Sequence, residues 1–425
     1  MLATMILTMC AALGQAEAAP ANDLAAIAQA LAQELGAVEK SKRDEAEKKL
    51  LELGPAAIDA IPEINERMPA EMAMRIRRVR VQLEKAAAEA SVQASTVSLA
   101  GQQMPLTEAL AAIQKQTGNK LIDFRPQFGE EPRDVKLSVN FAKLPFWQAL
   151  DQTLDQAKLT IYAFAGEEGL AMVSRSPTQL PRHGRAAYSG AFRIEGTDFT
   201  AHRDLRDPQS HTLQLNVEAA WEPRLRPIVI ALSPEAVTAT DDQGRPVAII
   251  GEGEAIEINV NPGATTVELP LSLSLPERSV KKLASLKGQL AVLLPGRVEE
   301  FRFTDVAKAK RVEQRRGAVT VTLDNVWKNN DLWEFRVRVT FDQAAGALES
   351  HRTWVFNNEA WLEGPEKEKI VAAGMETTRQ TENEVGVAYL FSGPATLAGH
   401  TFVYRTPAAV LSMPVPFELK DLELP

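Results

Sequence analysis

From Tyr188 to the C-terminus, apolar and polar residues alternate in short runs that are separated by turn residues. A period of two is the pattern of a half-buried strand, and clusters of Asp, Asn, Gly and Pro are typical of tight turns. Turns recur about every ten residues, a spacing that predicts a sandwich of two antiparallel sheets. The first set of runs comprises Leu213-Leu215-Val217, Ile228-Ile230, Ile256-Ile258-Val260 and Val267-Leu269-Leu271.

A second set of strand-like runs follows a charged hinge at Lys308 to Arg316. It comprises Val319-Val321-Leu323, Trp333-Phe335-Val337-Val339 and Val385-Val387-Tyr389. We expect the tail, Val415 to Leu424, to close this second set as its last strand. Together the two sets resemble tandem immunoglobulin-like β-sandwich modules at 188–312 and 316–425, without the cysteine pair of antibody domains.

Residues 22–90 have helical periodicity. Gly54-Pro55 ends one helix and begins the next, since proline is tolerated in a first turn. The last helix has an apolar stripe and four arginines that we expect to form a solvated face, namely Arg75, Arg77, Arg78 and Arg80. The run Glu45 to Ala57, followed by Ile61-Pro62, resembles a single HEAT-type helical repeat. Because such repeats normally stack in arrays, the resemblance implies docking on a neighbouring domain or a partner.

The segment 96–174 repeats one pattern, in which a strand-like run leads through a proline into a helix and then into an apolar strand. Two strand–helix–strand units imply one small α+β domain. The motifs Pro105-Leu106-Thr107-Glu108-Ala109-Leu110 and Pro145-Phe146-Trp147-Gln148-Ala149-Leu150 resemble the short N-terminal (STN) domain of secretins and TonB-dependent receptors. That resemblance implies a periplasmic docking module without catalytic residues. Ser176 to Gly184, with two prolines and no periodicity, is predicted to be a linker.

The N-terminus predicts export. Leu2 to Gly14 form an apolar run too short to span a bilayer, and Ala16-Glu17-Ala18 is an A-x-A cleavage motif, so residues 1–18 are interpreted as a signal peptide. A buried first helix is the alternative, since no Lys or Arg precedes the run. The single cysteine, Cys10, lies inside this segment, so the mature chain would contain no thiol and no disulfide. We therefore expect a periplasmic or extracellular protein.

Length and charge narrow the class of protein further. A chain of 425 residues is expected to be multidomain, here with an N-terminal α-helical segment, a small α+β domain and two C-terminal all-β modules. With 47 Lys and Arg against 56 Asp and Glu, the formal net charge is -9. Proteins that bind nucleic acid usually concentrate positive charge on one face, so no nucleic-acid partner is expected.

Few residues suggest catalysis. The five histidines are scattered, and H-E-x-x-H, G-x-S-x-G and phosphate-binding glycine loops are all missing, so we predict no catalytic residue and no cofactor. One local cluster could approach a metal ion if two strands brought it together, although surface loops often have the same composition. Its members are His202, Asp204, Asp207 and His211.

Tryptophans and arginines supply the candidate contact residues. Trp147 could contact a partner, with packing on its amphipathic helix as the alternative. The segment Trp221 to Pro227 places an indole beside Arg224 and Arg226 between prolines, and we expect it to be exposed, so that Trp221, Arg224 and Arg226 could bind a ligand. Burial between sheets is the expected state of most of the tryptophans in the last module, Trp327, Trp333, Trp354 and Trp361.

Two classes of function fit these observations. The first is a non-catalytic binding or scaffolding protein that docks on other envelope proteins, such as a secretion or receptor assembly, through residues 96–174. If each β-module has a hydrophobic core of its own, deletion of 96–174 should leave 188–425 folded. The second is a carbohydrate-binding protein or a glycoside-acting enzyme with dispersed carboxylates. A cleft that holds two carboxylates, one with a perturbed pKa, would favour the second class.

Overall fold

The structure is a computed structural model that describes residues 21–65, 67–163, 165, 169–207, 209, 211–251, 253, 255–342, 348 and 354–425. The proposed signal peptide and Cys10 lie outside these residues. Within them the chain is mostly β with several sheets, which confirms the coarse prediction of the fold class. The chain divides into two compact units, Met1–Leu83 and Glu84–Pro425. No helix in the described ranges has the length and apolar character needed to cross a membrane.

The first unit is helical. It contains α1 (Ala21–Glu34), α2 (Lys40–Glu52), a 3-10 turn (Pro55–Ala60) and the beginning of α3 (Ala70–Ser91). The turn between α2 and Pro55 passes through Gly54 at φ 75°, a left-handed conformation that glycine adopts without steric cost. The apolar faces of these elements form one core, which includes Leu35, Leu50, Ile58, Ile76 and Leu83.

Two of the four arginines that were expected to form a solvated face of α3 are buried. Arg75 is 6% exposed and Arg80 is 4% exposed, whereas Arg77 and Arg78 are exposed as predicted. Arginine can lay its apolar stem along a core and still pair its guanidinium with a carboxylate, so the helical pattern alone does not determine burial. The ion pairs are Arg75 with Asp44 at 2.9 Å, Arg75 with Glu47 at 2.7 Å and Arg80 with Glu63 at 3.1 Å.

Residues 96–174 fold as two small sheets and two helices in the expected order. The elements are β1 (Thr96–Pro105), α4 (Leu106–Thr117), β2 (Leu121–Asp123), β3 (Lys136–Pro145), α5 (Phe146–Ala157), β4 (Leu159–Tyr162) and β5 (Leu170–Ser174). Strand β1 pairs with β3, and β5 lies between β2 and β4, parallel to the former and antiparallel to the latter. Each helix begins directly after a proline, Pro105 or Pro145. The apolar faces of the helices pack on the sheets to form one core.

Residues 187–425 form four sheets. Their strands are β6 (Ala187–Ser189), β7 (Phe192–Arg203), β8 (His211–Trp221), β9 (Val229–Leu232), β10 (Thr238–Asp241), β11 (Pro246–Val247), β12 (Ile249–Ile250), β13 (Ile256–Asn259), β14 (Thr266–Ser274), β15 (Lys282–Pro295), β16 (Val298–Phe303), β17 (Lys310–Arg316), β18 (Val319–Asn329), β19 (Leu332–Phe341), β20 (Ala360–Glu363), β21 (Lys369–Val371), β22 (Gly374–Gln380), β23 (Glu384–Ser392), β24 (Thr401–Pro407) and β25 (Val410–Glu423).

The four sheets pair into two modules. Module A, residues 187–295 and 410–423, has one sheet in the order β12-β14-β8-β7-β6 and a second in the order β11-β10-β15-β9-β13, with β25 also on β15. Module B, residues 298–407, has sheets in the orders β16-β24-β20-β21 and β17-β18-β19-β23-β22. The two sheets of each module share one apolar core, to which strands such as β14, β19 and β25 contribute alternate residues.

The C-terminal strand belongs to module A, so the prediction that it closes the second module is wrong. Strand β25 pairs with β15 from Lys282↔Glu423 to Pro295↔Val410, and its inward residues Val415, Phe417 and Leu419 lie in the core of module A. Strand β16, which the sequence assigned to the first module, pairs with β24 of module B. Alternation reveals that a strand exists, but pairing depends on the complementary face, which is distant in sequence.

Candidate functional site

Trp147, one of the predicted contact residues, is 2% exposed and therefore offers no surface to a partner. It lies in the first turn of α5, where its indole N–H donates to the carbonyl oxygen of Ala191 in module A at 3.0 Å. Its ring meets that of Phe146 edge to face at 5.3 Å. Trp147 thus fixes α5 to module A, which agrees with the packing interpretation and corrects its place among the possible partner contacts.

Asp151, one turn further along α5, is the centre of a buried polar network. It is fully buried and accepts from Nε of Arg193 at 2.7 Å, from the hydroxyl of Tyr188 at 2.7 Å and from Nε of Arg182 at 2.9 Å. Burial by itself would raise the pKa of Asp151, but the positive charges of Arg193 and Arg182 outweigh it and lower that pKa. The carboxylate therefore stays ionised inside the joint between the α+β domain and module A.

The predicted linker Ser176 to Gly184 is anchored to the same helix. The backbone N–H groups of Arg182 and His183 both donate to Asp155 of α5 at 2.8 Å. Deletion of 96–174 would therefore remove Asp151, one acceptor of the fully buried Arg193, and leave its guanidinium with Glu195 of module A. That 188–425 folds without this domain stays a prediction, and the deletion would cost module A the buried ion pair to Asp151.

Trp221 is fully buried in the core of module A, which corrects the expectation that it is exposed, whereas Arg224 and Arg226 of the same segment are exposed as predicted. Glu222 beside it is also fully buried and accepts from the backbone N–H of Ser95 at 2.9 Å and from Nδ2 of Asn119 at 2.9 Å. Arg224 donates from Nε to Glu222 at 2.7 Å and from Nη1 to the carbonyl oxygen of Ser91 at 2.9 Å. Trp221 therefore offers no ligand surface, and the hydrogen bonds of Arg224 hold its exposed side chain against Glu222 and Ser91.

The His202, Asp204, Asp207 and His211 cluster lies at the end of the β7–β8 hairpin. Asp204 Oδ1 accepts from the backbone N–H of Arg206 at 2.7 Å, which is the arrangement of a side-chain-stabilised turn. Among the described residues, which include all four members, no group of three or more His, Cys, Asp or Glu side chains could hold a metal ion. His351 lies outside the described residues.

The tryptophans of module B differ in exposure. Trp354 and Trp361 are buried at 8% and 7% exposure, whereas Trp327 and Trp333 are partly exposed. Trp361 lies under two cations, with Nζ of Lys369 4.3 Å and the guanidinium of Arg405 5.2 Å from its ring centre. Burial between sheets thus holds for two of the four.

A cleft of about 530 Å³ lies between modules A and B, and the backbone near Gly169 of the α+β domain reaches its rim. Of the four predicted contact residues, Arg226 lines this cleft. The rest of the lining comes from loops that are far apart in sequence, so no local motif could have revealed it. Its members include five prolines, three asparagines and three charged residues beyond Arg226, and they are Pro223, Pro227, Pro262, Pro295, Pro407, Asn261, Asn357, Asn358, Glu300, Glu359 and Arg405.

The charges of the cleft are paired. Arg405 lies 2.9 Å from Glu300 and 3.9 Å from Glu359, and all three side chains are between 32% and 55% exposed. A hydrogen bond from Arg302 is the largest cause of the lowered pKa of Glu300, with a second from Arg405, while burial opposes both. A general acid needs a raised pKa, so Glu300 gives no support to glycoside hydrolysis in the cleft.

Glu218 has the opposite perturbation but does not line the cleft. It lies on β8, directly across from Glu195 on β7 and Glu268 on β14. Burial raises its pKa, the charges of Arg193 and Arg182 oppose that shift, and the two neighbouring glutamates add to it. The carboxyl group with the raised pKa therefore lies outside the cleft, and the two do not combine into the site that a glycoside-acting enzyme would need.

The chain is thus a mostly-β protein of several sheets with a cleft between its two largest modules. No family model, no curated protein and no solved structure matches it.

Proposed function

We propose that this chain is a non-catalytic binding or scaffolding protein of the cell envelope, exported by its N-terminal segment, that docks on protein partners. In this proposal its parts are a HEAT-like helical segment, an STN-like domain and two immunoglobulin-like modules. The cleft between modules A and B is the observation that carries the proposal. It combines concave shape, apolar lining and a few polar groups, which are the usual properties of a binding site.

The lining of the cleft suits an extended polypeptide segment. A peptide presents alternating donors and acceptors along its backbone, and the side-chain amides of Asn261, Asn357 and Asn358 can donate and accept in turn. Prolines provide apolar walls for its side chains. Because Arg405 is already paired with two glutamates, the cleft has no strong excess of one charge, as a ligand of mixed composition requires.

Sugar binding in the same cleft is less well supported. Sugar rings stack on exposed aromatic faces, but Trp354, the tryptophan that lines the cleft, is only 8% exposed. The STN-like resemblance also supports docking, and the position of Gly169 at the rim lets that domain share the site. The docking surface is therefore proposed at the cleft rather than on residues 96–174 alone.

The test is site-specific crosslinking in intact cells followed by reconstitution. A photo-reactive amino acid at Asn261, an exposed lining position, should yield discrete adducts that mass spectrometry identifies, while the same group at exposed Arg278, which does not line the cleft, should not. The purified partner should then bind the full chain, bind Arg278→Glu equally well and lose binding to Arg405→Glu. Equal adducts from both positions, or equal binding by both variants, would contradict docking in the cleft.

A further inference from the structure

A second concave surface lies on module B, on the outward face of the sheet β17-β18-β19-β23-β22. It is a groove of about 660 Å³ with the guanidinium groups of Arg311, Arg336, Arg338 and Arg379 along it. The groove shares no lining residue with the cleft between the modules. Any function that it has is therefore independent of the docking proposed above.

Two irregularities in the sheet form the groove. The β18–β19 register shifts between Leu323 and Asn325, and the β22–β23 register shifts between Thr377 and Arg379, so each edge of the groove carries a bulge. Between them Gly386 has no side chain, and a Cβ there would lie 2.6 Å from Oγ1 of Thr378. Any other residue at 386 would fill the depression that the bulges frame.

Four arginines and one carboxylate, Asp324, line the groove of a chain that is acidic overall. Arg338 pairs with Asp324 at 2.8 Å, Arg379 with Glu384 at 3.1 Å and Arg336 with Glu334 at 3.0 Å. Within the described part of the chain, the guanidinium of exposed Arg311 has no hydrogen-bond or ion-pair partner. Its backbone adopts φ 48°, a conformation that non-glycine residues rarely take and that often occurs at functional positions.

Trp327 adds a flat apolar surface to these charges. The guanidinium of Arg336 lies 4.6 Å from its ring centre, a stacking distance that fixes the indole beside the groove. Trp327 remains partly exposed, unlike Trp354 at the other cleft. Guanidinium forks bind carboxylates in two-point contacts, and an indole face binds the apolar face of a sugar ring.

We propose that this groove binds an acidic glycan, in which carboxylate-bearing sugars pair with the free fork of Arg311 and stack on Trp327. A nucleic acid would need a longer basic surface, because duplex DNA carries one negative charge about every 1.7 Å along its axis. The net negative charge of the protein would also repel it. Asn325 and Thr378, both exposed in the groove, supply donors and acceptors for sugar hydroxyl groups.

The experiment is calorimetric titration of the full chain with short oligogalacturonates, which carry one carboxylate per sugar ring. Binding should be detectable, and methyl esterification of the same oligosaccharides should abolish it. Arg311→Ala should weaken binding about tenfold, since one charge-assisted contact is lost. Trp327→Ala should weaken it about five- to tenfold through lost stacking. Arg278→Ala, an exposed arginine outside the groove, is the matched control and should bind as the unchanged protein does.

Short polyglutamate and a single-stranded oligonucleotide are the comparison ligands. Polyglutamate has carboxylates without sugar rings, so its weaker binding should not respond to Trp327→Ala. No binding of oligogalacturonate, or equal binding by Arg311→Ala, would overturn the site. The Arg311 guanidinium makes no hydrogen bond or ion pair with the described residues, so Arg311→Ala is expected to fold as the unchanged protein does. Equal or tighter binding of the oligonucleotide or of polyglutamate would overturn the assignment to a glycan.

Discussion

The two joints of the body, residues 84–425, use the same residue types in opposite ways. In the joint between the α+β domain and module A, Asp151, Arg193 and Glu222 are fully buried and hydrogen-bonded. At the cleft of about 530 Å³ between modules A and B, Glu300 and Arg405, which both belong to module B, are 32% and 44% exposed. We call these the closed joint and the open joint. Arginine–carboxylate pairs are thus no guide to function until their burial is known.

The difference has an energetic basis. A buried charge loses its hydration, so it needs hydrogen bonds from every side and holds its surroundings in one geometry. An exposed pair keeps most of its hydration and contributes little to stability, so it is free to exchange a partner for a ligand. The closed joint therefore fixes two domains to each other, and the open joint is where binding costs the least reorganisation.

The largest expected effect is that of breaking the closed joint at Asp151. Asp151→Ala removes the acceptor of the buried Nε of Arg193 and of the Tyr188 hydroxyl and breaks a buried ion pair, so we expect a loss of about 3–5 kcal/mol in the free energy of unfolding. Urea denaturation followed by tryptophan fluorescence measures it, because Trp147 lies in the same joint.

The control for this prediction is Asp342→Ala, which removes one member of the exposed Arg315–Asp342 pair. It should change the urea midpoint very little. If Asp151→Ala unfolded at the same urea concentration as this control, the closed joint would not hold the domains together, and the distinction between the two joints would fail.

A smaller effect is expected from Arg405→Ala in the open joint. Its ion pairs are exposed, so we expect a loss of no more than about 1 kcal/mol, although the same position is proposed to control docking. Differential scanning calorimetry under identical conditions gives the comparison with Asp151→Ala. A loss as large as that of Asp151→Ala would show that the open joint is structural, and the proposal that it serves binding would lose its physical basis.

The sequence predicts elements better than it predicts their partners. Alternation located eight strands of the two modules, and the proline-to-helix motifs located α4 and α5, because each signal lies within one element. The predicted hinge at Lys308 to Arg316 is wrong, since Lys310–Arg316 is strand β17, whose charged residues carry no alternating pattern. The partner of β25 was missed, since β15 lies more than a hundred residues earlier and many alternating strands compete for the same edge. Pairing between distant strands is decided by the complete core, not by local pattern.

At the candidate site, too, the sequence predicts single residues better than it predicts which residues come together. Arg226 was found because an arginine between prolines suggests an ordered exposed segment, yet Trp221 in the same segment is buried. Polar neighbours misled the prediction for Trp221 because Glu222, although charged, is fully buried and accepts hydrogen bonds from Arg224 and from the backbone of Ser95. Glu300, Glu359 and Arg405 carry no local signal, and only the folded chain brings them together.

The smallest expected effect concerns Glu218, which lies beside the closed joint without a close partner. Arg193 is 2.7 Å from both Asp151 and Glu195 but 4.0 Å from Glu218, and Glu195 and Glu268 face Glu218 from both adjacent strands. Its pKa is raised in the folded chain, mainly by burial, so the folded state binds the proton more tightly than the unfolded state does. The stabilisation that the protonated Glu218 contributes is therefore present below its unfolded pKa and is lost as pH rises through its folded pKa.

Glu218→Gln is neutral at every pH, so it should be more stable than the unchanged protein at pH 7, by up to about 1 kcal/mol. This gain in the free energy of unfolding should shrink toward pH 4. Urea midpoints across this range measure the gain, and Glu277→Gln, at an exposed pair, should show no such trend. A destabilised Glu218→Gln at pH 7 would mean that Arg193 needs this third carboxylate, and the closed joint would then extend one strand further than its hydrogen bonds indicate.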